Sequence, residues 1–267
     1  MAVACNNNDT APQAEPQSKE LRIISLVPSI SAEITQLGMK ENIVGATSYC
    51  AVSKENPELI VGSVIDINEE KIMLLKPDIV FASGLVKAES IKILRDNGIK
   101  VAVFASLHTF DDLCNNFIEI GAQIKKKQQA IDYVTKAKHK IDSIYNTIGE
   151  AEVRPRIFFE IGANPLATVV ENTFIHNFAV LCKADNVFAN LTSIIISRES
   201  AVLKNPSHII ISSMGVVGEQ EKELWKKYAD MEAVKNNNIF VVEGLTTPTV
   251  SAFVANYEFI KNNIYKN

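Results

Sequence analysis

The chain has 267 residues, 47% of them apolar, and a formal net charge of −4. That supplies apolar material for one large or two smaller cores. No Lys/Arg block interleaved with aromatics points to nucleic acid, and no apolar run approaches the roughly 18 residues of a membrane span.

The N-terminal segment 6–20, "NNNDTAPQAEPQSKE", has no Val, Ile, Leu, Met or aromatic residue. It cannot pack, and its composition predicts a disordered tether. Strand and helix signals then alternate. "LRIISLV" (21–27) reads as a buried strand, and Pro28-Ser29 turns it into a helix that Gly38 closes. "NIVGAT" is a short strand. Asn68 can cap the next helix, with Glu69 and Glu70 in its first turn and Pro77 stopping it. "DIVFAS" has the continuous apolar character of a central strand, "AESIKILRDNG" is a helix, and "IKVAVFA" the next strand.

The rhythm breaks between Thr109 and Gly149, where no strand signal occurs. Ala130, Ile131, Val134, Ala137, Ile141, Ile144 and Ile148 form a helical stripe, with most of the lysines off it. This predicts one amphipathic helix of about 25 residues, longer than a single crossover needs. Alternation resumes with strands "RIFFEIG" and "LATVV" around an Asn164-Pro165 turn, then helix "NTFIHNFAVLCKA". A helix capped by Ser197, strand "HIIISS", helix "QEKELWKKYADMEAV", strand "NIFVVEG" and a closing helix follow. The reading is an α/β fold of two Rossmann-like lobes with parallel sheets, joined by one long helix. Its parts are a tether (1–20), an N-terminal lobe (21–120), a connecting helix (121–149) and a C-terminal lobe (150–267).

One phrase occurs twice. "NEEKIMLLKPDIVFAS" and "SRESAVLKNPSHIIISS" each run cap, Glu at the second helical position, helix, Pro, then strand. Glu70 and Glu199 should therefore occupy equivalent places in duplicated lobes. Two explanations stand. A carboxylate in the first turn complements the helix dipole. Alternatively, two exposed carboxylates on matching corners meet basic sockets on a symmetric partner.

Catalytic patterns are missing. There is no GxGxxG, Walker A or GxSxG sequence, and His108, His139, His176 and His208 share no metal-ligand spacing. Cys5, Cys50, Cys114 and Cys182 form no CxxC pair. No metal, cofactor or enzymatic activity is expected. Ligands of open α/β sheets sit beyond the carboxyl ends of strands. That places Pro28, Ser29, Tyr49, Ser83, Gly84, Asn164, Ser213 and Thr246 in a candidate cleft between the lobes. Tyr49 is open to two readings, a stacking partner for a ligand or a half-buried ring under a loop.

Several stretches carry a family resemblance. "RIISLVPSISAEITQLGMKENIVGATSYC", "NEEKIMLLKPDIVFASG", "FFEIGANPLATV", "NTFIHNFAVL" and "ISRESAVLKNPSHIIISSMG" resemble, in order, the substrate-binding proteins of ABC importers for cobalamin, ferric siderophores and haem. The resemblance implies a class III periplasmic binding protein, with ligand held between two lobes, a rigid backbone helix, a small closing motion and no catalysis. It implies that Glu70 and Glu199 pair with arginines of an ABC permease. It implies a periplasmic or cell-surface location. "MAVA", then Cys5, then a polar tether resembles a bacterial lipoprotein processing site; the plain alternative is an incidental Cys. We expect a monomer whose partners are a corrinoid or iron chelate and a membrane permease, with no nucleic acid. The chain departs from cobalamin binders at Ala167, at "TSIII" before Ser197, and at "GLTTPTVS", which lack the aromatic or Arg residues of many relatives. A mostly apolar cleft lined with Ser and Thr is the expectation. The alternatives are a haem-binding or ligand-free accessory lipoprotein of the same fold, and a two-lobed α/β enzyme.

Overall fold

The computed structural model describes residues 20–149, 153–213 and 218–265. Cys5 and all but the last residue of the expected tether lie outside the described residues. The first lobe runs β1 (Ile23–Ser25), α1 (Pro28–Gln36), β2 (Ile43–Ala46), α2 (Ala51–Glu55), α3 (Glu69–Leu74), β3 (Ile79–Ser83), α4 (Ala88–Asp96) and β4 (Val101–Phe104). Two helices follow, α5 (Phe110–Gln123) and α6 (Lys127–Tyr145). The second lobe begins β5 (Arg156–Ala163), β6 (Leu166–Thr168), α7 (His176–Leu181), β7 (Asp185–Asn186) and α8 (Arg198–Lys204). It continues β8 (His208–Ser212), α9 (Gly218–Trp225), α10 (Glu232–Lys235), β9 (Ile239–Val242) and α11 (Val250–Ile264).

The first sheet has strand order β2-β1-β3-β4 and is parallel throughout. The second has order β6-β5-β8-β9, with β7 also on β5; it is parallel except for β6. Parallel strands must be covered on both faces, and their side chains sort accordingly. In β1, Ile23 joins one core and Ile24 another; in β5, Phe159 and Phe158 divide in the same way. The outer faces have separate cores, one under α3 and α4, one around Trp225. The inner faces share a single core. It runs from Ile23 and Phe81 through α5, α6 and α11 to Ile157 and Ile210.

The stripe from Ala130 to Ile148 is buried as expected, apart from half-buried Ile131. The helix that carries it is shorter than expected, with 19 residues. The chain breaks at Lys125, whose φ of 62° is left-handed. α5 is a separate helix started by a reciprocal capping box between Thr109 and Asp112. Gly121 lets the two helices close on one another, since a Cβ there would lie 2.6 Å from the Ala130 Cβ.

Phe253 on α11 fastens the shared core. It stacks on Phe110 of α5 (4.6 Å between centroids) and on Phe178 of α7 (4.5 Å), and meets Phe174 edge-on at 5.3 Å. Polar bonds reinforce the join. His108 Nδ1–H donates to the Asn172 carbonyl at 2.8 Å, and the Lys140 ammonium pairs with Glu258 at 2.6 Å.

Truncating Phe253 to Ala should therefore destabilise the whole molecule by about 3–5 kcal/mol in urea unfolding, with one transition retained. A loss below about 1 kcal/mol would show that the ring does not join the lobes.

Candidate ligand-binding cleft

A cavity of about 590 Å³ opens between the two sheets. Val27 after β1, Ser83–Leu85 from the end of β3 and Phe104–Leu107 from the end of β4 form the first wall. Ile161, Thr168, Val169, Thr173–Ile175, Ile194, Leu245, Thr246 and Pro248 form the second. The lining includes no acidic, basic or histidine side chain among the described residues. Its polar groups are hydroxyls: Ser83, Ser106, Thr168, Thr173 and Thr246. Some are already engaged, Thr168 with the Phe159 carbonyl at 3.0 Å and Thr173 with that of Val170 at 2.6 Å.

Of the residues expected in the cleft, Ser83, Gly84 and Thr246 lie in this lining. Ser29 lines a chamber of about 60 Å³ that adjoins it and shares Val27, Ser83, Phe104 and Pro248. Four others are not in the lining. Pro28 is the first residue of α1, between Val27, which lines the cavity, and Ser29. Tyr49 is 66% exposed and follows β2, at the sheet edge away from β4, whereas the first wall comes from β1, β3 and β4. Asn164 is exposed at the tip of the β5–β6 hairpin, where a cis Asn164–Pro165 bond reverses the chain. The return strand brings Thr168 to the wall instead. Ser213 is half-buried at the end of β8, its N–H donating to the Val242 carbonyl.

Sequence reasoning missed Thr168, Thr173, Phe174, Ile175 and Ile194. They lie on the antiparallel return and in the irregular segments that follow, which obey no strand-end rule. The chamber also contains a buried acid that was missed. Glu33 of α1 is 2% exposed, and its Oε1 has no partner among the described residues. Burial pushes its carboxyl well above the usual range, against the opposing hydrogen bond from the Val250 N–H at the start of α11.

Glu70 and Glu199 are both exposed, at the second position of α3 and of α8. The caps are as expected: Asn68 accepts from the Lys71 N–H at 2.8 Å, and Ser197 from the Ser200 N–H at 3.1 Å. Both helices end in a left-handed residue, Lys76 (φ 47°) and Asn205 (φ 44°), and each feeds the strand next to the first of its sheet. Hydrogen bonds from its own N–H and from the Ser197 hydroxyl hold the Glu199 carboxyl below the usual range. The first residue of α8, Arg198, is clamped from behind. It pairs with Glu221 and lies over the Trp225 ring at 4.7 Å. The Trp225 indole N–H donates to the fully buried Glu160 on β5 at 2.5 Å.

Cys50, Cys114 and Cys182 are buried free thiols, and burial pushes Cys114 and Cys182 up to about 12, far from thiolate chemistry. No group of three potential metal ligands occurs among the described residues.

Two α/β layers with a fused inner core and an apolar cavity between them form a two-lobed architecture with a candidate ligand cleft. The profile of the periplasmic binding protein family matches residues 23–244, and the chain belongs to that family. It is 27% identical over 271 residues to the uncharacterized ABC transporter substrate-binding lipoprotein YvrC of Bacillus subtilis, covering 97% of this chain and 83% of that one. It is 28% identical over 207 residues to a vitamin B12-binding protein of Pectobacterium carotovorum, covering 76% and 73%. The solved structure of a possible iron-binding, periplasmic solute-binding protein from Staphylococcus epidermidis matches with a TM-score of 0.77 at 26% identity, covering 93% of this chain and 100% of that one.

The buried acid behind α8 sets a pH dependence. Burial, with Glu221 alongside, pushes the Glu160 carboxyl from 4.5 up to about 8. Between those values the unfolded chain is ionised at Glu160 and the folded chain keeps the proton. The group's contribution is thus full below the unfolded value and is lost as pH rises through about 8. Urea midpoints should fall from pH 5 to 8.5, and Glu160→Gln should remove up to about 1.4 kcal/mol per pH unit of that slope. An unchanged slope would place the titration elsewhere.

Proposed function

We propose that this chain is the solute-binding component of an ABC importer. It captures a corrinoid or iron chelate between its lobes and delivers it to a membrane permease. The observation that carries this reading is the interlobe cavity, apolar, edged with hydroxyls and free of charged lining among the described residues. Such a wall suits a neutral ligand with amide edges. Carboxylates buried there would lack a cationic partner, at a cost of several kcal/mol each. A corrinoid therefore ranks ahead of haem, and the likeness to a protein named for vitamin B12 supports that order. Ser83, Gly84 and Thr246 contact the ligand; Glu70 and Glu199 face the permease.

Thermal-shift measurements with cyanocobalamin, a ferric hydroxamate chelate and hemin test the ligand class. The expected result is a rise with cyanocobalamin or the chelate, since a hundredfold excess over Kd contributes about 2.7 kcal/mol. Ala105→Trp, which fills the cavity from an exposed wall position, should abolish the rise and leave the unliganded melting temperature unchanged. No rise with any of the three, or a rise that survives in the variant, would contradict the reading.

We also infer that Cys5 is lipidated and anchors the chain at the outer side of a membrane. The order of small residues, Cys and polar tether supports this, as does the likeness to a protein named a lipoprotein. A clickable palmitate analogue should label the wild type, and Cys5→Ala should lose both the label and membrane fractionation. Label retained in the variant would refute the anchor.

A further inference from the structure

We infer that Leu74 and Leu203 are paired apolar anchors on the permease-facing surface. Each contributes a side chain to a socket that lies beside the cation facing Glu70 or Glu199. The inference rests on the docking role given to those two glutamates.

Leu74 is 80% exposed and Leu203 86%, more than any other leucine among the described residues. Single exposed leucines are common and need no explanation. These two share one address. Each lies four positions after its Glu, so acid and leucine occupy the same helix face, one turn apart. The rest of the unit agrees position for position. Asn68 and Ser197 cap it, Ile72 and Ala201 are its fully buried contacts, and Lys76 and Asn205 end it in left-handed conformations. Inside this unit the buried residue differs in size between copies, and so do the cap and the terminating residue. The exposed acid and the exposed leucine are identical in both.

An acid-and-leucine pair presented twice, on equivalent corners of two lobes, fits a partner with two copies of one complementary site. That describes a two-fold symmetric permease with a cation and an apolar socket in each half. A second copy of this chain fits poorly, because it would set carboxylates against carboxylates. The two elements divide the work. Rim charges govern encounter, while desolvated apolar side chains govern dissociation.

The test is binding to the cognate ABC permease reconstituted in lipid nanodiscs, at low and high salt. Leu74→Ser with Leu203→Ser should weaken binding by at least about tenfold, through faster dissociation and equally at both salt concentrations. Leu74→Met with Leu203→Met should restore it. Glu70→Gln with Glu199→Gln should instead slow association and flatten the salt dependence. Both leucines are exposed, so an unchanged melting temperature checks that folding is intact. If the serine variant binds like wild type while the glutamine variant is weakened, the anchors are refuted and the docking glutamates stand. If neither variant is weakened, both readings fall. A wild type that dimerises in sedimentation, with a monomeric serine variant, would assign the leucines to self-association and overturn the inference.

Discussion

Phe253 holds two lobes in one core, and the remaining geometry follows from that contact. One ring face stacks on Phe110, from the helix leaving the first lobe, and another contact stacks on Phe178, inside the second. α11 therefore cannot follow one lobe and leave the other without separating aromatic surfaces. Protein interiors are packed too densely to stretch in this way, so the energetically cheap motions are small rotations about the shared core. The cavity between the sheets adjoins this shared core, and Phe174 belongs to both.

Each sheet has an inner and an outer face, and the two have different uses. The inner faces join the lobes and leave the cavity where the strand ends diverge. The outer faces carry α3 and α8, which present Glu70 and Glu199 at the surface. The proposed ligand site and the proposed docking glutamates thus lie on different surfaces. The second lobe has a denser link between the two regions. Glu160 is on the strand whose next residue, Ile161, lines the cavity, and it reaches α8 through Trp225 and Arg198.

Much of this was legible in the sequence because local rules were obeyed locally. The caps at Asn68 and Ser197, the glycine stop at Gly38 and the apolar stripe from Ala130 to Ile148 are short-range signals. The doubled phrase around Glu70 and Glu199 needed no alignment. The break at Lys125 was not legible, because a left-handed lysine carries no sequence mark and the closeness of Gly121 to Ala130 is tertiary. The capping box at Thr109 and Asp112 was a readable sign of a separate helix, hidden by the expectation of one long one. Strand-end reasoning named Ser83, Gly84 and Thr246, which line the cavity, and Tyr49, which follows β2 at the sheet edge away from β4 and does not. It also missed Thr168, which the antiparallel return of β6 brings to the wall, and Phe174, in the irregular segment before α7.

The claim that the two lobes form one rigid clasp is tested most directly by a distance measurement across them. Spin labels at Glu89→Cys on α4 and Glu223→Cys on α9, with Cys5 replaced by Ser, report the interlobe separation by double electron–electron resonance. Cys50, Cys114 and Cys182 are buried and should stay unlabelled. Without ligand, the fused core predicts a single narrow distribution that Phe253→Leu leaves in place and Phe253→Ala broadens. A broad or two-peaked distribution in the otherwise unaltered protein would mean that the lobes swing freely, and would contradict it.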